Sequence, residues 1–206
     1  MVGNLNLRYV QMVLCCISVL PMGASAMQPH VKLSNIKYTG SGCPAGSVSI
    51  AMAPNKGAIN TVFDDFFTSF SGKPNQKIRR CKLAMKIKVP KNKRIRLRQV
   101  RFRGFVELPS NAHARIVRNY RFDNHKKQLL STAKGRSFKI FNTREAFNTP
   151  WSRCGKDVTL EVDSMIELKS HSKKPAQLGI DSFNHLMSRR YRGERGWKFI
   201  LHYTPC

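Results

Sequence analysis

The chain has 206 residues and 41% hydrophobic content, and 37 Lys and Arg against 11 Asp and Glu give a formal net charge of +26. That apolar content supports one sizeable core and excludes an intrinsically disordered chain. The charge lies far above the magnitude of about 2 to 8 that keeps a small domain soluble, so solubility is excluded as the only reason for the basic residues, and anionic partners come into question.

Residues 1–26 carry one charge, Arg8, an apolar run over 12–20, and Ala24-Ser25-Ala26, the small-x-small pattern that a signal peptidase cuts. They read as a secretory signal that leaves a single secreted or periplasmic domain over 27–206. The apolar run ends at Pro21, short of the ~20 residues that span a bilayer, so no transmembrane segment is expected after cleavage. Cleavage removes Cys15 and Cys16 and leaves Cys43, Cys81, Cys154 and Cys206. An even number in an exported chain predicts disulfides. Three connectivities are open, and Cys43 with Cys81 and Cys154 with Cys206 is favoured because each then closes a loop within one half of the chain.

Period-two alternation dominates the remainder of the chain. Strands are predicted over 31–38 and 47–52, where Val48, Ile50 and Met52 share a face. Phe63, Phe66, Phe67 and Phe70 have helical spacing, which predicts a short helix, with a strand bent at Asp64-Asp65 as the alternative. Over 82–89, Leu83, Met85, Ile87 and Val89 point inward while Lys82, Lys86 and Lys88 point outward. Pro90-Lys91-Asn92 interrupts the pattern, and RIRLRQVRFRG then places arginine at 94, 96, 98, 101 and 103. Read as a hairpin, matching apolar to apolar sets Ile87 opposite Ile95 and Met85 opposite Leu97, with Lys88 facing Arg94 and Lys86 facing Arg96. Each such like-charged pair at about 5 Å repels by roughly 0.8 kcal/mol in water. The alternation slips at Gln99-Val100, which predicts a β-bulge within 98–101. Further strands are expected over 115–122, 137–141, 158–168 and 197–203, and the polar, Lys-rich stretches 123–136 and 171–179 read as loops. The sum is an all-β fold, a two-sheet antiparallel sandwich of jelly-roll or immunoglobulin-like type, with about eight to ten strands.

GSGCPAGS at 40–47, FDDF at 63–66, Cys81 ahead of a strand ending in Val89-Pro90, FRGF at 102–105, Tyr120-x-Phe122 and WSRCG at 151–155 together resemble the secreted family catalogued as domain of unknown function 4360. The resemblance runs from about Ile36 to Cys206. It implies an exported, disulfide-bonded, mostly β protein of bacteria and fungi, and it supplies no function. Two features depart from the family pattern: Tyr203 stands where members tend to carry tryptophan, and the Lys and Arg density is higher. Polyanion binding is therefore not something the family implies.

No enzyme motif emerges, and no catalytic residue, metal ligand or cofactor is expected. The histidines at 30, 113, 125, 171, 185 and 202 lack metal-ligand spacing, and GSGCPAGS lacks both the nucleophile elbow and the phosphate-loop ending. Its plain reading is a tight turn that holds Cys43 in a bridge. The functional signal is the basic segment, Lys82, Lys86, Lys88, Arg94, Arg96, Arg98, Arg101 and Arg103, read as a platform for an extracellular polyanion or anionic cell surface: acidic polysaccharide, lipopolysaccharide phosphate or nucleic acid. Sequence-specific DNA reading is not expected. Two plainer readings stand beside it, a solvated charged face and internal pairing with Glu161, Asp163 and Glu167. Internal pairing does not absorb everything, since fourteen cations lie within 73–103 and the whole chain has 11 acids. A secreted hydrolase with a site assembled from distant residues, and a structural envelope or matrix protein, are the functional alternatives.

Overall fold

The structure, a computed structural model, describes residues 31–73, 75–180 and 196–206, and the expected signal segment lies outside them. The described residues form twelve strands and no helix: β1 (Lys32–Thr39), β2 (Val48–Met52), β3 (Ala58–Phe63), β4 (Phe67–Phe70), β5 (Asn75–Lys88), β6 (Lys93–Leu108), β7 (Ala112–Phe122), β8 (His125–Lys134), β9 (Ser137–Ala146), β10 (Val158–Ser170), β11 (Ala176–Ile180) and β12 (Trp197–Pro205). They make two antiparallel sheets. One has the order β1-β5-β10-β7-β8, and the other β2-β3-β12-β6-β11-β4, with β9 also paired to β6.

Alternation in each strand sends one set of side chains between the sheets. Leu83, Met85 and Ile87 of β5 and Leu160, Val162 and Ile166 of β10 meet Ile95, Leu97, Val100 and Phe102 of β6 in one buried cluster. Trp197 lies at its centre, with ring centroids 5.5 Å from both Phe63 and Phe102, 6.0 Å from Tyr120 and 6.2 Å from Phe199. Each such aromatic residue removes a large apolar area from water, and tilted or edge-on ring pairs add about 0.5–1.5 kcal/mol each.

The predicted hairpin is overturned. β5 and β6 do not pair: Ile87 sits opposite Leu33 of β1 and Val158 of β10, while Ile95 sits opposite Tyr203 of β12. The turn at Pro90, closed by the Lys93 N–H donating to Pro90 O at 2.9 Å, carries the chain from one sheet to the other. Apolar faces of both strands still meet, but across the sandwich and not along a shared ladder. Lys88 therefore does not face Arg94, nor Lys86 Arg96.

The bulge is where the slip in alternation puts it. Ile200 of β12 pairs with Gln99 and Leu201 with Leu97, so Arg98 is the extra residue. The phase change matters, because it keeps Val100 and Phe102 inward and turns Arg101 outward beside Arg94 and Arg96.

Three other expectations change. The phenylalanine cluster is not helical; β3 and β4 are separated by a bend at Asp64-Asp65, the alternative reading. The stretch 123–136 contains β8, an edge strand whose Lys residues and weak alternation hide it; lysine on an edge discourages pairing with other chains. The stretch 171–179 leads into β11, five residues long and inserted between β6 and β4.

Both favoured disulfides are present, Cys43–Cys81 and Cys154–Cys206. GSGCPAGS forms the turn that presents Cys43: Gly40 has φ 136° and lies so close to β5 that a Cβ there would stand 2.2 Å from Arg80 O. Gly155 plays the matching part at the second bridge. Its φ is 64°, and a Cβ would stand 2.8 Å from Lys91 Cα. Gly155→Ala is expected to lower stability by about 1–3 kcal/mol, because it combines left-handed backbone with a contact against main chain that cannot swing away. Urea unfolding of the oxidised variant checks this, and an unchanged midpoint would refute it.

Candidate functional site

The outward side chains of β6 form a dense cationic surface. Arg94 and Arg98 are exposed, and Arg96 and Arg101 are half-buried. Across the ladder, Arg96 faces His202 of β12, and Arg101 lies in register between Lys198 of β12 and Arg144 of β9. Like charges set directly opposite each other destabilise a sheet. Among the described residues, the segments beside Arg94, Arg96 and Arg98 carry no acid: β12, β6 from Lys93 to Arg103 and residues 147–155 contain neither Asp nor Glu. Glu145, the acid of β9, points between the sheets toward Arg118.

Trp151 completes this face. Residues 147–155 run beside the first half of β6, with Thr149 N–H donating to Leu97 O at 3.0 Å, Ser152 N–H to Ile95 O at 2.8 Å and Gly155 N–H to Lys93 O at 2.8 Å. Two hydroxyls replace the carbonyls that a regular strand would offer: Leu97 N–H donates to Thr149 Oγ1 and Ile95 N–H to Ser152 Oγ, each at 3.0 Å. The Cys154 bridge anchors the end of the segment to the C-terminus. So held, the Trp151 ring has the Arg96 guanidinium 4.7 Å and the Arg94 guanidinium 5.3 Å from its centroid, and His202 5.5 Å away. Arg96 also bonds His202 Nδ1 at 3.3 Å. Stacking on an aromatic ring holds a guanidinium by its face and leaves N–H groups at its edge for an anion.

The other predicted site residues lie elsewhere. Lys82, Lys86 and Lys88 point out from β5, on the opposite face of the sandwich from the β6 arginines. Lys86 pairs with Asp157 at 3.3 Å, and the Val89 N–H together with Lys86 holds that carboxyl below its usual range. Arg103 is buried, at 9% exposure, which takes it out of the exposed row. The acids of β10 serve their own sheet: Glu161 forms a two-pronged pair with Arg121, and Glu167 pairs with Arg115 at 2.6 Å. None reaches β6, so internal pairing with β10 does not neutralise these arginines. Trp151 and His202 escaped the sequence reading as site residues. Their signals were present, a tryptophan inside the WSRCG motif and a histidine on the outward phase of the last strand.

Residues 29–194 match the family described as "Domain of unknown function (DUF4360)". The chain belongs to that family. Within DUF4360, a curated relative described as "Uncharacterized secreted protein", from Arthroderma benhamiae, is 24% identical over 154 residues, which are 71% of this chain and 63% of the relative. The chain thus spans less than two thirds of that relative's length. Among solved structures, TmCBM61 in complex with β-1,4-galactotriose is similar at 9% identity and a TM-score of 0.26, covering 84% of this chain and 89% of the other. The enzymatically active domain of bacteriophage CBA120 tailspike protein 4 is similar at 9% identity and a TM-score of 0.17, covering 71% and 19%. Likeness of that degree bears on no ligand. The DUF4360 motifs acquire physical roles here: GSGCPAGS and WSRCG each position a cysteine, and WSRCG also hangs Trp151 over the β6 arginines. Two disulfides accord with an oxidising compartment outside the cytoplasm.

Proposed function

We propose that this protein is secreted and binds an extended extracellular polyanion, without catalysis, along the outer face of β6. The observation that carries the reading is the stacking of Arg94 and Arg96 on Trp151, where the adjoining described segments offer these two arginines no outward carboxylate. Outward residues on a strand repeat every ~6.6–6.8 Å, a spacing that lets successive guanidinium groups meet successive charges on a polymer. The bulge at Arg98 extends the same face to Arg101, so the row covers about 20 Å. Phosphate, sulfate and carboxylate all suit the planar fork of arginine. Lys82, Lys86 and Lys88 take no part in this face.

The test is a salt titration of the oxidised mature protein with labelled single-stranded DNA, heparin and anionic vesicles, wild type against a triple variant with Ala at 94, 96 and 98. Each lost contact to single-stranded DNA is expected to flatten the salt slope by about 0.7, for a total near two, with affinity at about 0.15 M salt falling at least tenfold. Equal slopes for the two proteins would refute the reading. The rank of the three ligands identifies the class of partner.

A further inference from the structure

On the opposite side of the sandwich, a groove of about 1140 Å³ lies across the outer face of the first sheet, lined from all five strands. Two transverse rows of outward side chains make its floor. One runs Thr39, Lys82, Asp163, Asn119, Gln128 in direct register, and the next runs Lys37, Ala84, Glu161, Arg121, Lys126. Five strands at about 4.8 Å spacing give it a length near 19 Å.

Its chemistry differs from that of the arginine face. Carboxylates occupy the middle: Glu161 is engaged by Arg121, whereas Asp163 makes no hydrogen bond or ion pair among the described residues. Gln128 Nε2 donates to Asn119 Oδ1 at 2.7 Å. That bond leaves the Asn119 amide hydrogens and the Gln128 carbonyl to offer a donor and an acceptor. Ala84 keeps the floor low between the longer side chains, and Ile36, 40% exposed, gives an apolar rim. Lys37, Lys82, Arg121, Lys126 and Lys127 line the same groove and outnumber its two carboxylates, but Glu161 and Asp163 interrupt them at the middle, so a polyanion lying along the floor would meet negative charge at its centre. An apolar ligand would strand the amides and charges unpaired. A neutral polyhydroxylated chain fits, because each hydroxyl both donates and accepts, and neighbouring hydroxyls match planar amide, carboxylate and guanidinium groups two at a time.

We infer that this groove binds a neutral glycan chain of several sugar units, independently of the polyanion reading. Asp163, Asn119 and Gln128 supply the central hydrogen bonds, with Arg121 and Glu161 beside them. The protein then has two faces of different specificity, one for charge and one for hydroxyls.

Calorimetric titration of the oxidised mature protein with the linear hexasaccharides of β-1,3-glucose, β-1,4-glucose, β-1,4-mannose and β-1,4-N-acetylglucosamine tests this. It is run at about 1 M NaCl, where the screening length falls to about 3 Å and the arginine face is silenced. At least one hexasaccharide is expected to bind. Asp163→Ala with Asn119→Ala is expected to weaken that binding at least tenfold, while the triple variant at 94, 96 and 98 leaves it unchanged. Failure of all four to bind at millimolar concentration overturns the inference, as does binding insensitive to the Asp163 and Asn119 changes. Neither result touches the polyanion reading, whose test uses other ligands at lower salt.

Discussion

Arg118→Ala is expected to lower the unfolding free energy by about 3–5 kcal/mol, most of it from a carboxylate left without its partner. Arg118 sits on β7 of the first sheet and is 1% exposed. It reaches across the sandwich to Glu145 of β9 at 2.8 Å, donates to Ser131 Oγ of β8 at 3.0 Å, and lies 4.0 Å from the centroid of the Phe102 ring. Thr143 Oγ1 donates to the same Glu145 oxygen at 2.9 Å. This tie joins one sheet to the other beside the edge strands β8 and β9. Tyr120 stands next to it, its phenol pushed strongly upward by burial, so it remains neutral and adds no charge. Removing the cation alone strands Glu145 in a space that cannot solvate it. Replacing both members together, Arg118→Met with Glu145→Leu, is expected to recover most of the loss, since an apolar pair of similar volume needs no compensation. Urea unfolding of the two variants separates the possibilities. A cost below about 1 kcal/mol for Arg118→Ala would show that water reaches Glu145. A double variant as unstable as the single one would show that the pair acts by specifying how the sheets dock.

Removing the Cys154–Cys206 bridge by Cys154→Ser with Cys206→Ser is expected to cost about 4 kcal/mol, from the chain entropy of a loop closed over a sequence separation of 52. Removing Cys43–Cys81, with a separation of 38, is expected to cost nearly the same, because loop entropy grows only with the logarithm of length. The two variants differ in function. Cys154–Cys206 joins the end of residues 147–155 to the end of β12, and both flank the first half of β6. Its loss frees the segment that holds Trp151 over Arg94 and Arg96. Polyanion affinity is therefore expected to fall in this variant and to stay near wild type in the Cys43–Cys81 variant, both measured well below their unfolding midpoints. Equal losses of affinity in the two would mean that Trp151 does not need its anchor.

Much of this architecture is legible in the residues. Leu83, Met85 and Ile87 declare an inward face for β5 whatever its partner, because successive side chains of a strand must point to opposite sides. The slip at Gln99-Val100 locates the bulge, since two inward residues cannot follow an outward phase without one extra residue. Four cysteines behind an expected export signal lead to the two bridges. β8 is hidden because an edge strand is buried on one side only and tolerates lysine, which erases the apolar period. β11 is hidden because five residues are too few to show one.

Pairing is not legible. Alternation assigns a face within each strand, yet the same pattern around Pro90 serves a hairpin within one sheet and a crossing between two, because in both cases apolar residues of β5 and β6 come to face the same core. Which occurs depends on long-range neighbours: β1 and β10 flank β5, while β12, β11, β9 and residues 147–155 flank β6. That choice separates Lys82, Lys86 and Lys88 from the arginines, gives Glu161 and Glu167 of β10 to β7, and brings Trp151 and His202 to Arg94 and Arg96 from more than fifty and a hundred residues away. The strands, their inward faces, the bridges and the excess of positive charge all follow from local periodicity and counting. Which charges share a surface does not, because packing between segments far apart in the chain sets it.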